Sequence, residues 1–244
     1  MKAWIAVGSI LRKDIATYYL KPPNISWGIV FPVAWTLAFF MRSETPVDVR
    51  SILPGVMILS VLFGTTSMLA VAITFERRSG AFNRLLLAPL PLSLVILAKT
   101  AGAILFGVAN AFVPMLFALF ATDLSGVRWG PLVAGVLFTA VTSAFLGLFI
   151  AASVREVFEA QTLSNFFRFP MIFLCGLFVA LKDLPWYVRP LSFILPPTYG
   201  VDLVRSAIAG DGAMPLAVSL TVLAGMTALL FVGSVGRVKK RWIL

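Results

Sequence analysis

The residues able to do chemistry in this chain are few, and histidine is missing altogether. Without imidazole there is no Ser–His–Asp relay, no His metal ligand and no imidazole proton shuttle. A Ser–Lys pair stays formally open through Lys99, but its candidate partners are only the distant Ser93 and Ser143. Cys175 is the single cysteine, so no intrachain disulfide can form. No G-x-x-x-x-G-K-[ST] run occurs, so the loop that cradles nucleotide phosphates is absent. No metal site, cofactor site or catalytic residue is therefore expected. Two groups of charges stand out. The first is FERRSGAFNRLLLAPL, residues 75–90, which sets Glu76, Arg77, Arg78, Asn83 and Arg84 between charge-free apolar runs. The second is Arg168, inside an apolar run, with Ser164 and Asn165 one turn before it. A charge in a membrane span is functional or paired. Arg168 thus either meets an anionic headgroup near an inner-leaflet entry, or snorkels inward or pairs with Glu156 or Glu159. Asn110, with Pro114 one turn on, either lines a path or bonds to a neighbouring helix. Such bonds average only about 0.6 kcal/mol, which favours packing, as for Thr65, Thr66 and Ser67.

The elements that must position these residues are membrane spans. The chain has 244 residues, 60% hydrophobic and 12% charged, with a mean hydropathy of +0.98. Soluble domains are about half apolar and about a quarter charged, so the natural solvent here is lipid. The net charge of +10 does not point to nucleic acid, because the basic residues flank apolar runs, where headgroups lie. A helix needs about 20 apolar residues to cross the hydrocarbon. Six runs qualify: 24–41 (with Trp27 and Trp35), 52–75, 92–121, 131–154, 163–181 and 215–235. They lack the alternation of barrel strands, so the fold class is an all-α polytopic membrane protein. Pro23 precedes the first run with no small-residue cleavage site behind it, so no secretory signal is expected. With the N-terminus cytoplasmic, one face collects Lys2, Arg12, Lys13, Lys21, Arg77, Arg78, Arg84, Arg155, Arg237, Lys239, Lys240 and Arg241. Lys99 and Arg168 join by snorkelling, making fourteen of the 20 basic residues. The other face keeps Arg42, Arg50, Arg128, Lys182, Arg189 and Arg205. Both termini are then cytoplasmic.

Residues 1–20 place Trp4, Val7, Leu11, Ile15 and Tyr18 at helical spacing opposite Lys2, Arg12, Lys13 and Asp14, the pattern of an interfacial amphipathic helix. The six-span domain then occupies 21–244. Within it, residues 76–88 read as a cytoplasmic helix. Glu76 falls in its first turn and Arg84 near its last, Phe82, Leu85, Leu86 and Leu87 form an apolar side, and Pro89 and Pro91 end it. A plain hairpin whose charges face water is the alternative. Residues 183–205 carry Pro185, Pro190, Pro196 and Pro197 yet are apolar, so they read as an outer re-entrant segment of short helices. Asp202 and Arg205 are spaced to pair along it.

Two blocks resemble a known family. Residues 76–90 are similar to the coupling segment of type 2 ABC exporter permeases, with a Glu, a Gly, a Leu-Leu and a Pro after the second span. Residues 169–205 resemble the family's stretch from the fifth span to the outer re-entrant segment, through Pro170, Gly176, Pro185, the run Leu195-Pro196-Pro197-Thr198-Tyr199 and Arg205. Cys175 stands where the family often has Ser, and Ala180 lies where a Pro is usual. The resemblance implies a permease in the inner membrane of a prokaryote, paired with a second permease chain and two copies of an ABC ATPase that supplies ATP and Mg. Glu76, Arg77, Arg78, Gly80, Phe82 and Arg84 would then form the ATPase-coupling surface. From the residues themselves, apart from the resemblance, Asn110, Ser164, Asn165 and Arg168 read as pathway or headgroup contacts, and Pro185, Trp186, Tyr187, Pro196, Pro197 and Tyr199 as an outer gate, with a plain aromatic belt as the alternative for Trp186 and Tyr187. The implied function is outward movement of an amphiphile (drug, lipid or glycolipid). A membrane anchor that recruits an ATPase for signalling or remodelling, or a secondary transporter, are the alternatives. The latter fits poorly without an inverted repeat or a midplane carboxylate.

Overall fold

A computed structural model describes residues 2–34, 37, 48–88, 90–120, 122–177, 179 and 181–242, and among them every regular element is helical. Helix α1, Lys2–Asp14, runs into a π-helical turn, Ile15–Tyr19. The chain re-enters helix as α2, Pro22–Ile25, again followed by a π-helical turn, Ser26–Val30. The last stretch of the first expected span, from Trp35 to its end at Met41, lies outside the described residues apart from Leu37, as do Arg42, Pro89, Ala121 and Ala180.

Among the described residues, four helices are long and apolar enough to cross a membrane: α3 (Val49–Arg78), α5 (Leu92–Ala118), α6 (Trp129–Ser153) and α10, which spans Leu216–Trp242. Between them lie α4 (Ala81–Leu86), α7 (Val157–Leu174), α8 (Arg189–Ser192) and α9 (Pro196–Ile208). Helix α3 starts where Asp48 accepts the Arg50 amide at 3.0 Å. It is the most enclosed span, whereas α10 is largely open along its length. The run expected as the fifth span, 163–181, is shifted in the structure. Helix α7 begins earlier, behind a capping box of Glu156 and Glu159, and stops at Leu174. Its stop has a local cause, since Gly176 turns left-handed at φ 74.

Helix α6 is the centre, packed against α3, α5, α9 and α10. Gly147 lets α3 come close: a Cβ there would sit 2.6 Å from the Thr66 carbonyl oxygen. Just beside it, the Thr66 hydroxyl donates to the Ser143 carbonyl at 3.3 Å. Helix α9 climbs along α6 in antiparallel register. Its Pro196–Pro197 start shares a small cavity with Thr142, Ser143 and Leu146, halfway along α6. Gly200 then faces Thr139, Leu203 and Val204 face Gly135, and the Arg128 amide donates to the Ala207 carbonyl at 3.0 Å. Thirteen residues rise only about 20 Å, so α9 reaches half-depth and returns to the level of its own end. Residues 197–204 of α9 are buried against the neighbouring helices, while Phe193 and Ile194 just before it are exposed.

Replacing Gly147 by Val forces a branched side chain onto backbone and should cost about 1–3 kcal/mol. Gly233→Ala on α10, where nothing lies within 4 Å of the added atom, should be neutral or stabilising by up to ~1 kcal/mol. Unfolding in mixed micelles checks both.

Candidate functional site

The charged interruption between α3 and α5 is built differently from a single helix. Glu76, Arg77 and Arg78 are the last turn of α3. The helix closes at Ser79, whose amide donates to the Phe75 carbonyl at 2.9 Å. Gly80 then turns left-handed at φ 71, and α4 starts at Ala81. Glu76 is therefore not in the first turn of the short helix. A conformation that only glycine adopts at no steric cost separates the two.

Glu76 is 1% exposed and faces inward. Its Oε2 lies 2.5 Å from the Lys99 Nζ of α5, and its Oε1 pairs with Lys13 of α1. Lys99 is 2% exposed and also pairs with Asp14 Oδ1 at 2.8 Å, while Lys13 sits 3.4 Å from the same carboxylate. Two carboxylates and two ammonium groups thus close a neutral cluster that ties α1, α3 and α5 together. The Tyr18 ring lies over it, 5.6 Å from Lys13 and 6.0 Å from Lys99. Burial pushes the Asp14 carboxyl up, Lys99 and Lys13 pull it back, and it stays above the ordinary carboxylate range. For Lys13, burial opposes the charge, but Glu76 and Asp14 outweigh it and raise the ammonium above its usual value. Lys99 does not snorkel. It is held by two acids, which also removes it as the base of a Ser–Lys pair.

The apolar side of α4 packs onto its own chain. Phe82 is buried edge-on against Trp242 of α10, with centroids 4.9 Å apart. The Arg77 guanidinium covers the same indole at 4.8 Å and donates to the Ala151 carbonyl at 3.1 Å. Arg78 pairs with Glu156 at the surface. Of the six residues expected on the coupling surface, Glu76 and Phe82 are therefore inside and anchor the helix, and Arg77 is pinned. What α4 and its C-cap leave outward is Asn83, Arg84 and Leu87, the last 86% exposed.

The other expected residues separate. Ser164 is buried and its hydroxyl is spent on the Ala160 carbonyl at 2.7 Å. Asn165 turns outward and meets Gln161 at 3.4 Å. Arg168 is buried with its guanidinium 4.0 Å from the centre of the Phe63 ring. It pairs with neither Glu156, which holds Arg78, nor Glu159, which accepts the Arg155 amide at 2.9 Å. It does not snorkel either: twelve residues, about 18 Å of helix, separate it from the α7 cap at Glu156. Asn110 is buried against Gly28 and Gly64, with its Nδ2 unbonded. Trp186 and Tyr187 are exposed and stack edge-on, while Pro197 and Tyr199 are buried at half-depth, the Tyr199 hydroxyl donating to the Phe193 carbonyl at 2.9 Å. They do not form one gate. Asp202 and Arg205 do not pair. Asp202 accepts the Ala213 amide and the Ser219 hydroxyl at 2.6 and 2.7 Å, fixing the start of α10, and Arg205 donates to the Gly176 carbonyl at 2.9 Å.

Sequence reasoning missed the charge cluster. Its signal was Asp14, placed three and four residues after Leu11 and Ile10 and thus on the buried stripe of α1.

Residues 6–209 match the ABC-2 type transporter family. The chain is also similar to the inner membrane transport permease YadH of Escherichia coli strain K12, 23% identical over 228 residues that cover 90% of this chain and 89% of that one. The YadH protein of Shigella flexneri matches to the same extent.

Removing one partner from a buried ion cluster strands the others. Lys99→Met should cost about 3–5 kcal/mol, and the double variant Glu76→Gln/Lys99→Met should lose less than the sum of the singles by at least ~1 kcal/mol. Arg78→Ala, which breaks only an exposed pair, should stay within ~1 kcal/mol of wild type. A double-mutant cycle on unfolding measures all three.

Proposed function

Because the chain belongs to the ABC-2 type transporter family, we propose that it is the transmembrane subunit of an inner-membrane exporter driven by a separate ABC ATPase. The reading has two such chains and two ATPase subunits, with ATP and Mg held by the ATPases. The segment from Arg78 to Leu87 is the docking element, at the cytoplasmic end. The observation that carries this is the division of labour on α4. Phe82 is buried and holds the helix to α10, while Asn83, Arg84 and Leu87 are presented outward from a short rigid helix. A charge for orientation beside an exposed leucine for affinity is what a helix-in-groove contact uses.

Force applied there reaches the membrane through three separate links. Gly80 leads back into α3, Phe82 presses on α10, and Glu76 grips α1 and α5. The connectors 119–128 and 209–215 at the opposite end are short, and neither has room for a substrate-binding domain. An amphiphile taken from the membrane and moved outward fits an interior this apolar. The localisation rests on the relatives' printed name and on the apolar helices.

Detergent pull-down of tagged chain tests the docking element. Wild type should bring down a Walker-A ATPase, and Arg84→Glu/Leu87→Asp should bring down about tenfold less, equivalent to ~1.4 kcal/mol, with an unchanged unfolding midpoint. Equal recovery from both, or no ATPase from either, would remove the assignment.

A further inference from the structure

Among the described residues, Arg168 is a cation with no anion. It is 3% exposed, and its Nε and Nη2 have no hydrogen-bond partner. Among the described residues no carboxylate lies within ion-pair reach of it. Its only companion of note is the face of Phe63, a weak partner for a charge already stripped of water. A guanidinium this deep is ordinarily forked onto a carboxylate or phosphate. The nearest acids on its own helix are committed three turns away, at the α7 cap. Neighbouring Ser164 donates its hydroxyl to the Ala160 carbonyl and accepts nothing from the guanidinium.

The surroundings are not uniformly closed. Phe63 packs against Phe31 with ring centroids 4.7 Å apart. Phe31 in turn lines a wholly apolar pocket with Leu59, Phe169, Ile172 and Phe173. One residue along from Arg168, Phe169 is exposed, as is Phe173 one turn further. A dry cation thus stands two aromatic rings, Phe63 and Phe31, away from a small hydrocarbon-lined cavity of about 30 Å³ whose rim carries the exposed Phe169 and Phe173. The backbone near Phe63 is also unusual, since Phe63–Ser67 is a π-helical turn in the middle of α3, the kind of irregularity that recurs at functional sites.

We propose that Arg168 is the headgroup-recognition residue of the transport path, receiving the oxyanion of an anionic amphiphile whose hydrocarbon tail stays on the exposed Phe169 and Phe173 face of α7. The assignment rests on the exporter reading for the identity of the amphiphile as cargo, but the binding itself does not. Phosphate and carboxylate headgroups share the chemistry that a guanidinium forks. A lone buried charge selects for a single oxyanion and against zwitterions, whose ammonium would be brought beside the guanidinium. Specificity would then come from that repulsion as much as from the attraction.

A structural arginine and an arginine waiting for a ligand differ in the ligand-free protein. Removing the first destabilises the fold. Removing the second relieves an unpaid burial, because apolar replacement of a buried charge is often neutral or stabilising. The test is therefore the unfolding temperature of the purified chain in neutral detergent, alone and with dioleoyl phosphatidic acid, oleate, phosphatidylcholine or inorganic phosphate. Wild type should be stabilised by phosphatidic acid and oleate, and by neither phosphatidylcholine nor inorganic phosphate. R168M should unfold at the same or a higher temperature than wild type without ligand and show no ligand response. R168K should keep part of the response. A lower unfolding temperature or failure to fold in R168M, an undiminished response in R168M, or an equal response to inorganic phosphate would overturn the proposal. Vesicles carrying the chain and its ATPase separate cargo from resident lipid. ATP-dependent outward movement of labelled phosphatidic acid, lost in R168M, supports cargo. Binding without movement overturns the cargo half and leaves a lipid site. Because the unfolding assay contains no ATPase, failure of the exporter reading cannot mimic failure of the site.

Discussion

Three charges with almost no access to water, Asp14, Glu76 and Lys99, are neutralised only by one another and by Lys13 at the rim. Each is affordable inside an apolar protein because the other three are there. That constraint fixes where α1 lies, since its Asp14 has no other place to be. It also fixes the end of α3 and the first turns of α5. Buried ion clusters add little net stability over apolar packing, but they are intolerant of separation. A cluster of this kind makes three elements move as one.

The rest of the molecule follows from what is welded at one end and what is not at the other. At the basic end, α4 is short, capped by the left-handed Gly80, and seated on Trp242, so it has little freedom of its own. At the opposite end, α9 runs only half the length of α6, and its surroundings are held by side-chain hydrogen bonds: Arg128 to the Ser206 carbonyl and hydroxyl, Arg205 to the Gly176 carbonyl, and Asp202 to the start of α10. One end is tied by a buried charge cluster and the other by separate hydrogen bonds. Between the two ends, Arg168 and Asn110 are the buried polar side chains of the α5–α3–α7 junction that keep nitrogens unbonded.

Much of this was legible in the residues. Charge-free runs located α3, α5, α6 and α10, because nothing but length and hydropathy decides a span. The prolines between 185 and 197 announced the interrupted segment, since proline cannot continue a helix across it. What the sequence could not carry was partnership. The charges at 76–78 looked like the start of a new helix, yet charge does not end a helix. Gly80 does, and it was the one local signal of the break. Lys99 and Asp14 are 85 positions apart, so no spacing rule joins them. Phe82 looked like half of an outward apolar face because its partner, Trp242, comes from the far end of the chain. Arg168 was visible as a charge, but the lack of any acid beside it emerges only from packing.

The central claim is that the charge cluster makes α1 and the α3–α4 corner one body. Spin labels at Arg12→Cys and Phe75→Cys, both exposed positions, in a chain lacking Cys175, report it directly by electron paramagnetic resonance. A further pair combines Phe75→Cys with Asp123→Cys at the opposite end. With the ATPase bound and ATP trapped, the account predicts that the 12–75 distance stays constant while the 75–123 distance changes. A 12–75 distance that shifts with nucleotide would contradict it.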